Sequence, residues 1–169
     1  MEVAKKGQQL YIGAELITEE GAKVSLFDFN NRTIDVSSAS HVKLGQHGIK
    51  LFRGYSRIGD PSHNYIIESP NAIAQIGQGE AVISYDPVLE KTQLLNLTGQ
   101  AIIASQKEKA WRQEVSRGYY SSVQKDVQDG LPRMSYRAGS NTIKVATSCL
   151  LYTSPSPRDA TLSRMPSSA

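Results

Sequence analysis

Polar and apolar side chains alternate with a period of two through most of this 169-residue chain. In the segment Ala22–Phe27, Val24 and Leu26 lie on one side of an extended backbone, while Lys23 and Ser25 lie on the other. The following Asn30-Asn31 pair suits a tight turn, and the alternation resumes in Thr33–Val36. This pattern is typical of half-buried strands joined by turns.

Similar runs recur along the chain, and Gly, Pro or Asn residues separate them. Only Gln106–Glu114 could be read as a helix, and it lacks an apolar stripe at helical spacing. The sequence therefore predicts an all-β fold of about a dozen short strands, a roll, solenoid-like fold or sandwich with little or no helix. Besides the two runs above, we expect strands at Gln9–Ile12, Glu15–Thr18, His41–Leu44, Ile49–Phe52, Tyr55–Ile58, Tyr65–Glu68, Ala72–Ile76, Ala81–Tyr85, Gln93–Leu97, Ala101–Ala104, Arg112–Val115 and Tyr119–Val123.

The same alternation predicts which side chains form the core. Burial of each large aliphatic side chain should stabilise the fold by roughly 1.5–3 kcal/mol. The expected core residues are Leu16, Val24, Leu26, Ile34, Leu51, Ile67, Ile73, Val82, Ile83, Leu95 and Ile102.

Composition excludes several classes of protein. Hydrophobic residues make up 39% of the chain and charged residues 21%, as expected for a soluble globular domain. No apolar run approaches the roughly 18 residues of a membrane span. The net charge of +3 is dispersed, so we expect no nucleic-acid partner. Cys149 is the only cysteine, which excludes an intrachain disulfide and a cysteine-based zinc site.

Motifs that carry chemistry are scarce. The three histidines, His41, His47 and His63, match neither an H-x-H strand pair nor a helical HExxH site. The segment Gly77-Gln78-Gly79 lacks the third glycine and the following helix of a dinucleotide-binding loop. No G-x-S-x-G motif is present. We therefore expect a protein that is not an enzyme, with no catalytic residue, metal or cofactor.

The end of the chain differs from the rest. Segment 148–169 holds the only cysteine and three of the seven prolines, and it shows no apolar alternation. From Cys149 to Ala169 it resembles the translated read-through of a sequencing adapter. We therefore expect 148–169 to be a non-native, unstructured tail. Residues 136–147 would begin a linker or a following segment.

Residues 1–135 form the predicted domain, and its ordered series of motifs resembles the FecR-type domain. The series opens with a glycine-led strand and continues with a strand that ends in glycine. A glycine corner follows, although many members have Arg-Gly-Thr where this chain has Ile-Gly-Gln-Gly at 76–79. The matching segments are Gly13–Thr18 (GAELIT), Ile49–Tyr55 (IKLFRGY), Ile67–Ala74 (IESPNAIA), Val82–Pro87 (VISYDP), Leu97–Ala101 (LTGQA), Val115–Val123 (VSRGYYSSV) and Asp129–Arg133 (DGLPR).

The FecR resemblance implies a location and a function. It suggests a periplasmic or other extracytoplasmic domain that takes part in envelope signalling, with another envelope or membrane protein as its partner. The segment Met1–Gly7 lacks the apolar core of a signal peptide. We therefore expect the natural domain to begin before Met1, unless the protein is cytoplasmic. The family motif is structural, so it implies no catalytic residues.

Glycines and one tryptophan are the residues singled out for specific roles. We expect structural corners with positive φ at Gly54, Gly77, Gly99 and Gly118, where a Cβ would cost roughly 1 kcal/mol or more. Trp111 lies in a charged stretch and is either a strand anchor or an interaction aromatic. We favour the anchor, because one tryptophan alone is a weak basis for a binding site.

Two functions stay open from the sequence. In the first, a sheet surface or edge strand binds another protein. In the second, tyrosines line a groove for envelope carbohydrate or peptidoglycan. Tyr119 and Tyr120 are adjacent, so on a strand they face opposite sides and cannot form one platform, which favours protein binding. The tyrosines considered for the groove are Tyr55, Tyr65, Tyr85, Tyr119 and Tyr120.

Overall fold

The computed structural model describes residues 2–28, 32–59 and 64–148, together with the backbone of 163–165. Strands dominate these residues, as the alternation predicts, and the fold is all-β with one α-helix in the described part. The elements are β1 Glu2–Val3, β2 Glu15–Thr18, β3 Val24–Phe27, β4 Thr33–Val36, β5 His41–Leu44, β6 Gly48–Gly59, β7 Tyr65–Glu68, β8 Ala72–Asp86, β9 Lys91–Ser105, β10 Arg112–Val115, β11 Tyr119–Gln124, a 3₁₀ turn Gln128–Gly130, β12 Tyr136–Arg137, α1 Ser140–Ser148 and β13 Ser163–Met165.

Three long strands, β6, β8 and β9, organise the molecule. Each was predicted as two short strands separated by a glycine corner, and each is instead one strand that continues through the glycine. Gly54 has φ 93° and Gly99 has φ 79°. A Cβ at Gly99 would overlap the carbonyl oxygen of Gln78, so the backbones of β8 and β9 approach closely only because this residue has no side chain.

The glycine prediction is wrong at Gly77. The pairing of β8 with β9 shifts between Ile76 and Gly79, and the positive φ of this irregularity, 126°, falls on Gly79. Gly79 lies opposite Gly99, and a Cβ there would overlap the carbonyl oxygen of Thr98. Gly118 has φ 77° in the turn before β11, with open space around it.

The long strands divide the hydrogen-bonded sheet into two halves. The first half contains β1, β13, β2, β5, the start of β6, β7, the start of β8, the end of β9 and β10. The second half contains β3, β4, the end of β6, the end of β8, the start of β9, β11 and β12. We call these halves sheet I and sheet II. Neighbouring strands are antiparallel except β6 and β7.

Sheets I and II share one core. Leu51, Ile67 and Ile103 of sheet I belong to the same buried cluster as Ile83 and Leu94 of sheet II. Seven of the eleven predicted core residues are buried, and Val24 and Leu26 pack against the cluster from the edge strand β3. The buried seven are Leu16, Ile34, Leu51, Ile67, Val82, Ile83 and Leu95.

Ile73 and Ile102 were predicted in the core and are outside it. In β8, Ala72, Ala74 and Ile76 face inward, so Ile73 lies on the opposite side of sheet I. In β9 the fully buried side chain is Ile103, and Ile102 lies on the outer side with Ile73. The period was right, but the choice of face was wrong by one residue.

Two C-terminal segments contain regular secondary structure. Segment 136–147, expected to begin a linker or a following segment, contains β12 and most of α1, and α1 covers part of sheet II. In the tail expected to be unstructured, Ser163–Met165 forms β13 between β1 and β2. Its backbone groups pair with the edge of β2, which would otherwise leave N–H and C=O groups without strand partners. Residues 149–162 and 166–169 lie outside the described residues.

Candidate interaction surface

The histidines lie apart from one another where the structure describes them. His41 contacts Glu15 and Phe52, whereas His47 is exposed in a turn. His63 lies outside the described residues. Across residues 2–28, 32–59 and 64–148, no three His, Cys, Asp or Glu side chains come together in a way that would hold a metal ion.

The outer face of sheet I has a charged half. The carboxylate of Glu15 accepts hydrogen bonds from His41 and Lys43, at 3.1 and 3.3 Å. These bonds lower the pKa of Glu15. Farther along the same row of the sheet, Lys50 lies 3.7 Å from Glu68. This half is therefore a ladder of solvent-exposed ion pairs, which contributes little stability and keeps this part of the face polar.

The other half of this outer face is apolar. Ile66 in β7, Ile73 in β8, and Ile102 and Ala104 in β9 lie on it, because their neighbours in sequence point into the core. Ile66 is 38% exposed, and the other three side chains are half-buried. The register places Ile73 opposite both Glu68 and Ala104, and Gln75 lies between Ile66 and Ile102, so the group spans three strands around one polar side chain. We call Ile66, Ile73, Ile102 and Ala104 the aliphatic patch.

The strand β10 borders the aliphatic patch at the edge of sheet I. It pairs with β9 so that Arg112 lies opposite Ala104 and Glu114 lies opposite Ile102. Trp111 immediately precedes the strand and is 62% exposed. It belongs to neither buried cluster, so the prediction that it anchors a strand is wrong. Trp111 is instead an exposed aromatic residue next to an edge strand and the aliphatic patch.

Part of the outer face of sheet II is apolar and covered, although Phe27 and Tyr55 are exposed elsewhere on it. Val82 of β8 and Leu95 of β9 lie on it and form a second buried cluster with Ala138. Ile143 and Ala146 of α1 pack on this cluster, together with Leu97 and Tyr120. The helix ends near β3, where the Nζ of Lys23 donates a hydrogen bond to the carbonyl of Ser148 at 3.3 Å.

A polar network lies on the same face of sheet II. Arg57 is 2.7 Å from Glu80 and 3.9 Å from Asp35, and the hydroxyl of Ser25 donates to Asp35. The register aligns Ser25, Asp35 and Arg57 with Val82 across neighbouring strands. The arginine is thus held between two carboxylates beside the covered cluster, as in a structural ion-pair network.

The tyrosines do not line a common groove. Tyr65 and Tyr85 are in the core, and Tyr119 packs against the core from the face opposite to Tyr120. Tyr120 and Tyr136 have ring centroids 6.3 Å apart and border a depression of about 120 Å³. This volume is well below the roughly 300 Å³ at which ligand pockets usually begin. Tyr55 is 46% exposed in β6, apart from this depression, so the carbohydrate hypothesis lacks a groove shared by these tyrosines.

Comparison with known proteins identifies the fold. No family model and no curated protein matches the sequence. Two crystal structures of a putative anti-sigma factor from Parabacteroides distasonis ATCC 8503 match, with TM-scores of 0.62 and 0.61 and 8% sequence identity. The matches cover 77% and 78% of this chain, and 62% and 63% of the other. The chain thus spans less than two thirds of the neighbour's length, and the likeness concerns the fold alone.

Proposed function

We propose that this chain is a non-enzymatic, FecR-like domain that binds another envelope protein in a signalling pathway controlling a sigma factor. Two independent lines support this. The order of strand and glycine motifs resembles FecR-type domains, and the fold is similar to that of a putative anti-sigma factor. Resemblance to the FecR family is also the basis for proposing an extracytoplasmic location.

The uncovered aliphatic patch is the observation that carries the proposal of protein binding. Its three isoleucines lie around Gln75 on sheet I, and no described element packs over them, whereas the comparable cluster on sheet II lies under α1. Contiguous exposed apolar groups rimmed by polar residues are typical of protein-binding surfaces. Glu68 and Arg112 form such a rim on either side of the patch.

Binding rather than catalysis fits the chemistry of the polar residues. The group formed by Glu15, His41 and Lys43 lies on an open sheet face, and its carboxylate is engaged by both cations. In the Arg57 group, one guanidinium is paired with the carboxylates of both Asp35 and Glu80. In each arrangement the carboxylates are engaged by cations, as expected of structural ion pairs rather than of an acid–base pair with separated pKa values.

A complementation experiment in the organism that encodes the chain tests this function. Deletion of the gene should change the transcripts that depend on one sigma factor, and the wild-type gene should restore them. The double substitution Ile66→Lys with Ile102→Lys should fail to restore them, because it places two charges in the aliphatic patch. The matched control is Lys144→Glu on the exposed side of α1.

Each variant should be checked for an unchanged circular dichroism spectrum and near-wild-type melting temperature. The proposal would be contradicted by an unchanged transcript profile in the deletion strain. Full complementation by the patch variant would equally show that the aliphatic patch is not the binding surface. Retention of the purified chain on peptidoglycan with loss of retention in a Tyr120→Ala variant would favour carbohydrate binding instead.

A further inference from the structure

The strand β10 has one side without a strand partner in the described ranges. Its four residues, 112–115, pair with residues 101–104 of β9, and no other described strand pairs with it. Such an edge presents backbone N–H and C=O groups to any extended segment that approaches. The charges and side chains along this edge therefore determine which segment fits.

The charge pattern of β10 is complementary to itself. Arg112 and Glu114 are exposed on the outer face of sheet I, with Gln113 between them on the other side of the strand. Neither charged side chain forms an ion pair with a described residue. If two such strands run antiparallel and are centred on Gln113, each Arg112 lies directly opposite Glu114 of the other copy.

We propose that two copies of this chain pair through their β10 edges, antiparallel and centred on Gln113. Two-fold symmetry then forms the Arg112–Glu114 contact twice. Opposite charges that face each other directly across neighbouring strands attract, and like charges repel. The alternatives centred on Arg112 or on Glu114 would instead place two arginines or two glutamates opposite each other. Charge therefore selects one register.

The same register gives Trp111 a partner. It places Trp111 opposite Val115 of the second copy, whose side chain is fully buried, so the register brings the exposed indole to the edge of that copy's core. The ladder ends there, because Lys109 and Ala110 form a turn on one side and Arg117 and Gly118 form a turn on the other. Five residues form a short interface, so the dimer should dissociate on dilution.

Pairing at this edge also extends the aliphatic patch. Within one copy, Ile73, Ala104 and Arg112 lie in one row across β8, β9 and β10. In the dimer this row continues through Glu114 and Ile102 of the second copy. The two patches thus lie on one face of a continuous sheet and would bind two copies of a partner, although the dimer itself does not depend on the proposed signalling role.

Sedimentation of the full chain with charge-reversal variants tests the proposal. Wild type should show a monomer–dimer equilibrium that shifts with concentration. Arg112→Glu and Glu114→Arg should each weaken dimerisation by about tenfold or more, because two attractive pairs become two repulsive ones. The double variant should restore the equilibrium, because the pairs form again with their charges exchanged. Lys144→Glu, which makes the same change in net charge as Arg112→Glu, should behave as wild type.

Three results would overturn the proposal: a wild type that stays monomeric at the highest soluble concentration, a dimer insensitive to both single reversals, or a double variant as weak as the singles. An unchanged melting temperature in the variants separates loss of pairing from loss of folding. Restoration in the double variant supports pairing of β10 with itself, since a foreign acidic segment bound at Arg112 would not produce it.

Discussion

The outer faces of sheet I and sheet II carry similar aliphatic groups and differ in what lies over them. On sheet II, Val82 and Leu95 are covered by α1 and are 4% and 6% exposed. On sheet I, Ile66 in the aliphatic patch is 38% exposed, and no described element covers it. The difference shows that apolar residues on a sheet face do not by themselves define a core. A core requires a second element within reach.

A substitution at the bend of a long strand between sheet I and sheet II should have the largest effect on the free energy of unfolding. We expect Gly99→Val to destabilise the fold by about 3 kcal/mol or more, because the residue has φ 79° and the added Cβ would overlap the carbonyl of Gln78. Gly139→Val is the control, since the nearest atom to a Cβ there is the Thr142 hydroxyl at 3.9 Å. Urea unfolding measures both. Equal stability of the two variants would contradict the bend at Gly99.

A matched pair of lysine substitutions compares the two faces directly. Leu95→Lys should cost about 2–4 kcal/mol, because it places a charge in the covered cluster. Ile66→Lys should cost about 1 kcal/mol or less, because its side chain already reaches solvent. The measurement is the free energy of unfolding for each variant. Similar losses would mean that the aliphatic patch is covered in solution.

Period-two alternation located the strands well. Five predicted strands, Glu15–Thr18, Thr33–Val36, His41–Leu44, Tyr65–Glu68 and Arg112–Val115, have the bounds that the structure gives them. All are four residues long, and their hydrogen bonding begins and ends with the local pattern. By contrast, Gln9–Ile12 forms no strand, and Tyr11 and Ile12 there are exposed.

The long strands were missed for a physical reason. A glycine with positive φ occurs both in a turn and inside a bent strand, and sequence alone does not show whether hydrogen bonding continues beyond it. At Gly99 it continues, because β8 lies alongside on both sides of the bend. Whether β9 continues beyond Gly99 therefore depends on Gly79, a residue distant in sequence that lies opposite Gly99 in β8.

The formation of the helix α1 also depends on residues that are distant in sequence, because it packs on Val82 and Leu95. Its nine residues contain no buried side chain, and only Ile143 and Ala146 reach the second cluster. One signal was available in the sequence. Val82-Ile83 and Leu94-Leu95 are adjacent apolar pairs, and adjacent strand residues face opposite sides, so both sides of the sheet had to be covered there. The sequence indicated the aliphatic patch more weakly, because the alternation predicted Ile73 and Ile102 to be core residues.

A substitution on α1 tests how firmly the helix covers sheet II. Ile143→Asp should destabilise the protein by about 1–2 kcal/mol, since it brings a carboxylate to the cluster of Val82 and Leu95. Val145→Asp lies on the same helix, at a position 61% exposed, and should be nearly neutral. Chemical denaturation and binding of a hydrophobic dye would report the change. No difference between the two variants would indicate that α1 does not pack there.

The smallest expected effect is the pH dependence of stability due to Tyr65. In β7 this residue is buried between the sheets, whereas its neighbour Ile66 faces outward. Burial raises the pKa of Tyr65 above the value of 10.0 for a free tyrosine. The protonated form is therefore favoured by folding, so its contribution is complete below pH 10 and is lost as the pH rises toward the folded-state pKa.

Above pH 10 the unfolded chain releases this proton first, so stability should fall by about 1 kcal/mol per pH unit from this residue. Tyr65→Phe should reduce the slope of unfolding free energy against pH, although it should leave the part due to Tyr85, whose pKa is also raised by burial. Tyr11→Phe, at a position 61% exposed, removes a hydroxyl outside the core and is the comparison variant. An identical slope in wild type and Tyr65→Phe would show that this ring reaches water. The space between sheet I and sheet II would then be open to solvent at Tyr65.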